Sequence, residues 1–218
     1  MKFCWLASYN ALYFAGRLVR PEADSEDEFD STYGTDTSRI REIGSLEIGS
    51  ENARHAVRYQ PTDPDVFLGI LGQLEADLSL FSFVDYGCGK GKMLLLASNF
   101  PFKRIVGVEF APELAGISER NIDVYRAPGQ RCRDIRVVCC DAVRYSPPMD
   151  PIVGYFYNPF GRPVMREVIA NLEESLRTLQ RQAFIIYVDP RHSDLIEASG
   201  AWQPVMSSER YSVYRHRH

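Results

Sequence analysis

No stretch of the 218-residue chain comes near the roughly 18 consecutive apolar residues that a membrane span needs, so a spanning protein is not expected. Cysteine is sparse and odd in number, five in all, and Cys139 and Cys140 are sequence neighbours. That is a poor arrangement for a disulfide framework, and without spaced partners it is not a zinc site either; a reducing, cytoplasmic setting and no bound metal are expected. Excess charge is small, −4 overall, which gives no strong nucleic-acid signal. Arg120, Arg126, Arg131, Arg133 and Arg136 are read as a solvated face rather than a basic rim. There is no internal repeat, no Ser/His/Asp set and no G-K-[ST] of a P-loop. His55, His192, His216 and His218 have no recognisable catalytic context.

What remains is the composition of a globular protein, 45% hydrophobic and 25% charged. Trp5, Tyr9, Leu12, Tyr13 and Gly16 recur at helical spacing within Phe3 to Gly16, and Ser8-Tyr9-Asn10 breaks the apolar run. An amphipathic helix is expected there, not a signal peptide. From Pro21 to Thr37 the chain is acidic and turn-rich, the pattern of a solvated linker, with a lid that orders on ligand binding as the other reading. Residues 1–60 are therefore expected to be an extension (helix, linker and a loop near the ligand), and 61–218 the main domain.

From Pro64 onward, helices and short apolar strands alternate. Asp63-Pro64 is a good helix start, and Phe67, Leu68, Leu71, Leu74 and Leu78 form an apolar stripe. Strands are predicted at Phe81 to Tyr86, Arg104 to Glu109, Ile135 to Cys140, Ile152 to Tyr157 and Phe184 to Val188, with weaker ones at Gln203 to Met206 and Arg210 to Tyr214. Helices are predicted at Met93 to Asn99, Pro112 to Tyr125 and Arg162 to Gln180, the last with Val164, Val168, Leu172, Leu176 and Leu179 on one side. This alternation implies an α/β fold, a mostly parallel twisted sheet with helices on both faces. Ligands of such sheets sit beyond the carboxyl ends of the strands, where the strand order switches.

The residues after each strand carry the chemistry. Asp85-Tyr86-Gly87-Cys88-Gly89-Lys90-Gly91 follows the first core strand, and alternate glycines let the backbone turn tightly and a ligand approach closely. The free N–H groups of the next helix suit a phosphate or a carboxylate equally. The spacing is G-x-G-x-G, however, and not G-x-G-x-x-G, and Asp85 would repel a diphosphate while pairing with an amino group. Lys90 and Lys92 are read as solvated or structural. Glu109, ending the second strand, can accept hydrogen bonds from ribose hydroxyls, and Phe110 can lie against a base. Asp141, followed by Ala142, can accept from an adenine amino group or simply cap a turn. Asn158-Pro159-Phe160 ends the fourth strand. The Asn158 amide and backbone carbonyl can hold an amine, and the Phe160 ring can flank it; an ordinary Asn-Pro turn is the plain alternative.

In order and spacing these residues resemble motifs I to IV of class I (Rossmann-like) S-adenosylmethionine-dependent methyltransferases, over about residues 60 to 190. The chain is most similar to a bacterial group of small members of that class. Asn158-Pro159-Phe160 is similar to the Asn/Asp-Pro-Pro-Tyr/Phe element of amino-group methyltransferases, with the second proline missing. Tyr59 to Phe67 resembles the Tyr-Glu-Pro loop of non-SET histone-lysine methyltransferases, which implies cofactor contacts for Tyr59 and Thr62. The resemblance implies S-adenosyl-L-methionine as cofactor, held by Tyr59, Thr62, Asp85, Gly87, Gly89, Gly91, Glu109, Phe110, Asp141 and Ala142. It implies methyl transfer to an amino nitrogen of a protein or small molecule at Asn158, Pro159 and Phe160. A catalytically silent cofactor-binding scaffold and an NAD-type oxidoreductase are the alternatives.

Overall fold

A computed structural model describes residues 25–38 and 64–217 of the chain. The helix expected at Phe3 to Gly16, and Tyr59 and Thr62, lie outside the described residues. The centre is a seven-stranded sheet: β1 Ser82–Tyr86, β2 Arg104–Glu109, β3 Ile135–Cys139, β4 Ile152–Tyr157, β5 Ala183–Val188, β6 Trp202–Ser207 and β7 Tyr211–His216. Their order is β3-β2-β1-β4-β5-β7-β6. The first five strands are parallel, and β7 runs antiparallel to both β5 and β6. A dinucleotide fold has the order 3-2-1-4-5-6, so this sheet differs by one reversed strand between the fifth and the sixth.

Strands buried on both faces must be apolar throughout, and their alternate residues feed two separate cores. Phe83, Ile105, Val153, Tyr155, Phe184 and Ile186 point to one face. They meet Phe67, Ile70 and Leu71 of α2 (Pro64–Gln73), together with Met93 and Leu94 of α3 (Lys92–Ala97). Val84, Tyr86, Val106, Val108, Phe156, Ile185 and Tyr187 point the other way, onto Val164, Val168, Leu172 and Leu176 of α5 (Arg162–Thr178). Helix α4 (Pro112–Val124) packs on β2 and β3. The short α6 (Ser193–Glu197) lies between β5 and the terminal hairpin in sequence. Three stripe positions differ from expectation. Leu74 and Leu78 lie beyond the end of α2, Leu78 in a short 3-10 turn (Leu78–Leu80), and both are still buried, whereas Leu179 lies past α5 and is exposed.

The acidic segment is not simply a linker. Ser25–Tyr33 forms helix α1. Phe29 and Tyr33, one turn apart, both pack on Tyr125 after α4, with ring centroids 5.9 and 4.8 Å away. These two rings give an otherwise acidic helix one adhesive side, and aromatic burial outweighs a composition that favours solvent. Asp30 then closes the following turn, its carboxylate accepting from the backbone N–H groups of Thr37 and Ser38 and from the hydroxyls of Thr35 and Thr37.

Candidate functional site

Because β1 to β5 are parallel, their carboxyl ends open on one edge of the sheet, and the expected residues collect there. β1 is followed in chain order by β2 on one side, while β4 flanks it on the other, so the strand order switches between β1 and β4. At this switch the glycine loop meets the segment after β4. A Cβ added at Gly87 would stand 2.7 Å from Pro159 Cβ.

All three loop glycines have left-handed backbones, with φ of 85° at Gly87, 53° at Gly89 and 83° at Gly91. Other residues pay about 1–2 kcal/mol for that conformation, and here three fall within five positions. The loop is sewn to the end of β2. Gly87 and Cys88 donate their N–H groups to the Val108 carbonyl, at 2.8 and 3.1 Å. Gly89 N–H donates to Glu109 Oε2, and Ala111 N–H to Glu109 Oε1, both at 2.9 Å. Glu109 is only 3% exposed, and burial raises its pKa against the pull of these backbone bonds. Asp85, also 3% exposed, is raised well above the ordinary carboxylate range, first by burial and then by the charge of Glu109. Among the described residues no cation is hydrogen-bonded or ion-paired to either carboxylate. Two buried acids without a cationic partner make a site that a cationic ligand would relieve.

Lys90 is not solvated. Its side chain is fully buried and forms an ion pair, 2.7 Å long, with Asp36 just beyond α1. Asn121 of α4 completes the clasp. Its Oδ1 accepts from Asp36 N–H at 2.8 Å, and its Nδ2 donates to the carbonyls of Asp36 and Lys90, at 3.0 and 2.9 Å. Lys92, also buried, lies 5.2 Å from the Phe29 ring centroid. The structural reading of both lysines therefore holds, and the solvated one does not.

Asn158 is 4% exposed and sits in the left-handed region at φ 38°. Its Nδ2 donates to Asp189 Oδ2 at 3.2 Å. Phe160 is buried in the α5-side core. Asp141 accepts from Val143 N–H at 3.0 Å and so caps the 3-10 turn Ala142–Arg144, in which Ala142 is buried. Phe110 is half-buried beside Glu109. Tyr155 and Tyr187 are core residues, and burial pushes the Tyr187 phenol up to about 12. Four residues were not singled out from sequence: Asp36, Lys90 in its ion-paired role, Asn121 and Asp189. For Asp189 the signal was present, since Asp189-Pro190 repeats the pattern of Asn158-Pro159, an Asx-Pro pair ending a core strand.

No family model matches the chain, and no curated protein matches it in sequence. Solved structures do match in fold. Precorrin 8w decarboxylase from Methanobacterium thermoautotrophicum aligns at a TM-score of 0.51 and 15% identity, over 73% of this chain and 93% of that one. Ribosomal protein L11 methylase from Lactobacillus delbrueckii subsp. bulgaricus gives 0.48 and 17%, over 69% and 76%. Magnesium protoporphyrin IX methyltransferase from Synechocystis PCC 6803, solved with bound S-adenosylmethionine, gives 0.47 and 15%, over 71% and 79%. The chain has the Rossmann-like methyltransferase fold. A fold hosts many chemistries, so the activity has to be argued from the site.

Proposed function

We propose that this protein is an S-adenosylmethionine-dependent methyltransferase that acts on an amino nitrogen of a protein or small molecule. One observation carries the reading: a glycine loop with three left-handed residues, flanked by the buried Asp85 and Glu109, abuts Asn158-Pro159 at the switch point of the sheet. The residues fit the cofactor's chemistry. Asp85 would pair with its ammonium group, Glu109 would accept from the ribose hydroxyls with lone pairs its backbone donors leave over, and Gly87, Gly89 and Gly91 would let the backbone approach. Asp141 and Ala142 would lie toward adenine with Phe110 against the ring. Tyr59 and Thr62 would close over the methionine end.

The cofactor supplies a methyl group already activated on a sulfonium. The protein then has to align a nucleophile and exclude water. Asn158 Oδ1, with the backbone carbonyls of the Asn158-Pro159-Phe160 segment, would accept N–H hydrogens so that the nitrogen lone pair points at the methyl. A neutral amine needs no strong base, and the raised Tyr187 keeps its proton. Isothermal titration with S-adenosylmethionine, S-adenosylhomocysteine and NAD, followed by transfer of a labelled methyl into cell extract, tests the proposal. The first two should bind, NAD should not, and label should appear in the extract. Binding of NAD alone overturns the reading. Cofactor binding without transfer leaves a silent scaffold.

A further inference from the structure

We infer that Asp189 is a positioning residue for Asn158, fixing which atom of the Asn158 amide faces the methyl acceptor. The inference rests on the methyltransferase reading and narrows it to acceptors that carry a hydrogen to donate. β4 and β5 are adjacent and parallel, and Tyr157 pairs with Val188, so the next residues of the two strands, Asn158 and Asp189, stand side by side. Both adopt left-handed backbones, φ 38° and 47°, and are the non-glycine residues with positive φ among the described ones. Both precede proline, which itself restricts the residue before it. Asn and Asp tolerate this region better than other side chains, yet it still costs, and two costs at neighbouring strand ends are kept only where the surroundings hold them. The surroundings do so here. Asp189 N–H donates to the Arg210 carbonyl at 2.9 Å, tying the end of β5 to the turn before β7.

An ionised carboxylate can only accept hydrogen bonds, so the group of Asn158 facing Asp189 must be the NH2 and not the oxygen. The 3.2 Å bond to Asp189 Oδ2 thereby settles the amide orientation and turns Oδ1 away from Asp189, free of hydrogen-bond donors among the described residues. Without Asp189 the amide can rotate by half a turn and present two N–H donors, which would repel an amine's hydrogens. Arg191 Nε donates to the same Oδ2 at 3.0 Å from an exposed position, so Asp189 Oδ2 accepts from both side chains. Asp189 touches neither cofactor nor acceptor in this role.

The test uses D189G and N158G, since glycine accepts both backbones without strain, together with the double variant and D189N. In protein carrying 15N-labelled asparagine, the side-chain amide signal absent from N158G should move in D189G and D189N. S-Adenosylhomocysteine affinity should stay within about twofold in each variant, the range of a change that touches no cofactor contact. At saturating S-adenosylmethionine, labelled-methyl transfer into cell extract should fall by about tenfold or more in D189G. D189G should add nothing further in the N158G background, because the two residues act as one unit. An unmoved amide signal, full transfer by D189G, equal losses in both backgrounds or lost cofactor affinity would each overturn the inference. A wild-type protein that binds S-adenosylmethionine but transfers no label would instead sink the methyltransferase reading, while the amide signal still reports on the Asn158–Asp189 bond.

Discussion

A carboxyl buried beside another carboxyl is more easily kept protonated than ionised, and Asp85 beside Glu109 is in that position. Its folded pKa is raised above the unfolded one, so the native state binds an extra proton from the ordinary carboxylate range upward. The stabilisation this gives is complete below that range and is lost as pH rises through the raised folded value. The cofactor-free protein should therefore lose stability as pH rises from the ordinary carboxylate range upward, and Asp85→Asn should lose much less. S-Adenosylmethionine binding should show the opposite trend, tightening with pH because its ammonium needs the ionised form. Thermal unfolding of both proteins as a function of pH checks this; parallel curves would mean that Asp85 does not carry the effect. Glu109 has two tasks that a variant can separate. Glu109→Ala leaves the buried N–H groups of Gly89 and Ala111 without an acceptor, at about 1–3 kcal/mol each, and should unfold readily. Glu109→Gln keeps one acceptor oxygen and should fold, yet bind S-adenosylmethionine about 1.5–3 kcal/mol more weakly by titration calorimetry. Unchanged affinity in the folded Gln variant would rule out the ribose role.

At the scale of elements, the segment after α1 is held to the glycine loop by the part-buried Lys90–Asp36 pair and the Asn121 hydrogen bonds around it, and this is where sequence and structure part most. Removing one member of a buried pair strands the other and costs about 3–5 kcal/mol, whereas replacing both with apolar groups is often close to neutral. Asp36 is partly exposed, so Asp36→Ala should cost somewhat less, about 2–3 kcal/mol in denaturant unfolding, by leaving the Lys90 ammonium buried and unpaired. Asp36→Ala with Lys90→Met should recover most of that loss, and an additive double variant would mean the pair is not coupled. None of this was legible in the chain. Asp36 lies 54 positions from Lys90 and 85 from Asn121, and no local pattern announces a contact at that distance. The acids of α1 also concealed Phe29 and Tyr33, whose partner Tyr125 belongs to a remote helix end. By contrast, β2 and β4 could be read to their terminal residues, because a strand buried on both faces is a short continuous apolar run, bounded by Arg104 and Glu109 in β2 and by Pro151 and Asn158 on either side of β4. The glycine loop was legible for a related reason: three left-handed positions in a row of alternates leave few other residue types to choose from. Asp189 was visible only as a strand terminator, since its meaning comes from the neighbouring strand.

At the scale of the whole molecule, the proposed cofactor would couple these parts. It would bring an ammonium to the Asp85–Glu109 pair and rest on the loop that Lys90 ties to Asp36, so binding should stabilise more than the loop itself. A ligand that binds only the native state, present at a hundred times its dissociation constant, adds about 2.7 kcal/mol. For a protein of this size each kcal/mol moves the midpoint by about 2–4 °C, so S-adenosylmethionine should raise it by roughly 5–11 °C. S-Adenosylhomocysteine, which keeps the ammonium and ribose but not the sulfonium, should give a shift of similar size at the same multiple of its own constant. NAD, whose diphosphate would face Asp85, should give none. Hydrogen exchange shows whether the stabilisation spreads as the clasp requires. Backbone amides of residues 25–38 and 87–91 should gain protection together on cofactor binding, and in Asp36→Ala the gain in 25–38 should shrink while that in 87–91 persists. A midpoint shift with protection confined to the loop would leave α1 as a passive attachment. A shift with NAD and none with S-adenosylmethionine would assign the site to a different ligand altogether.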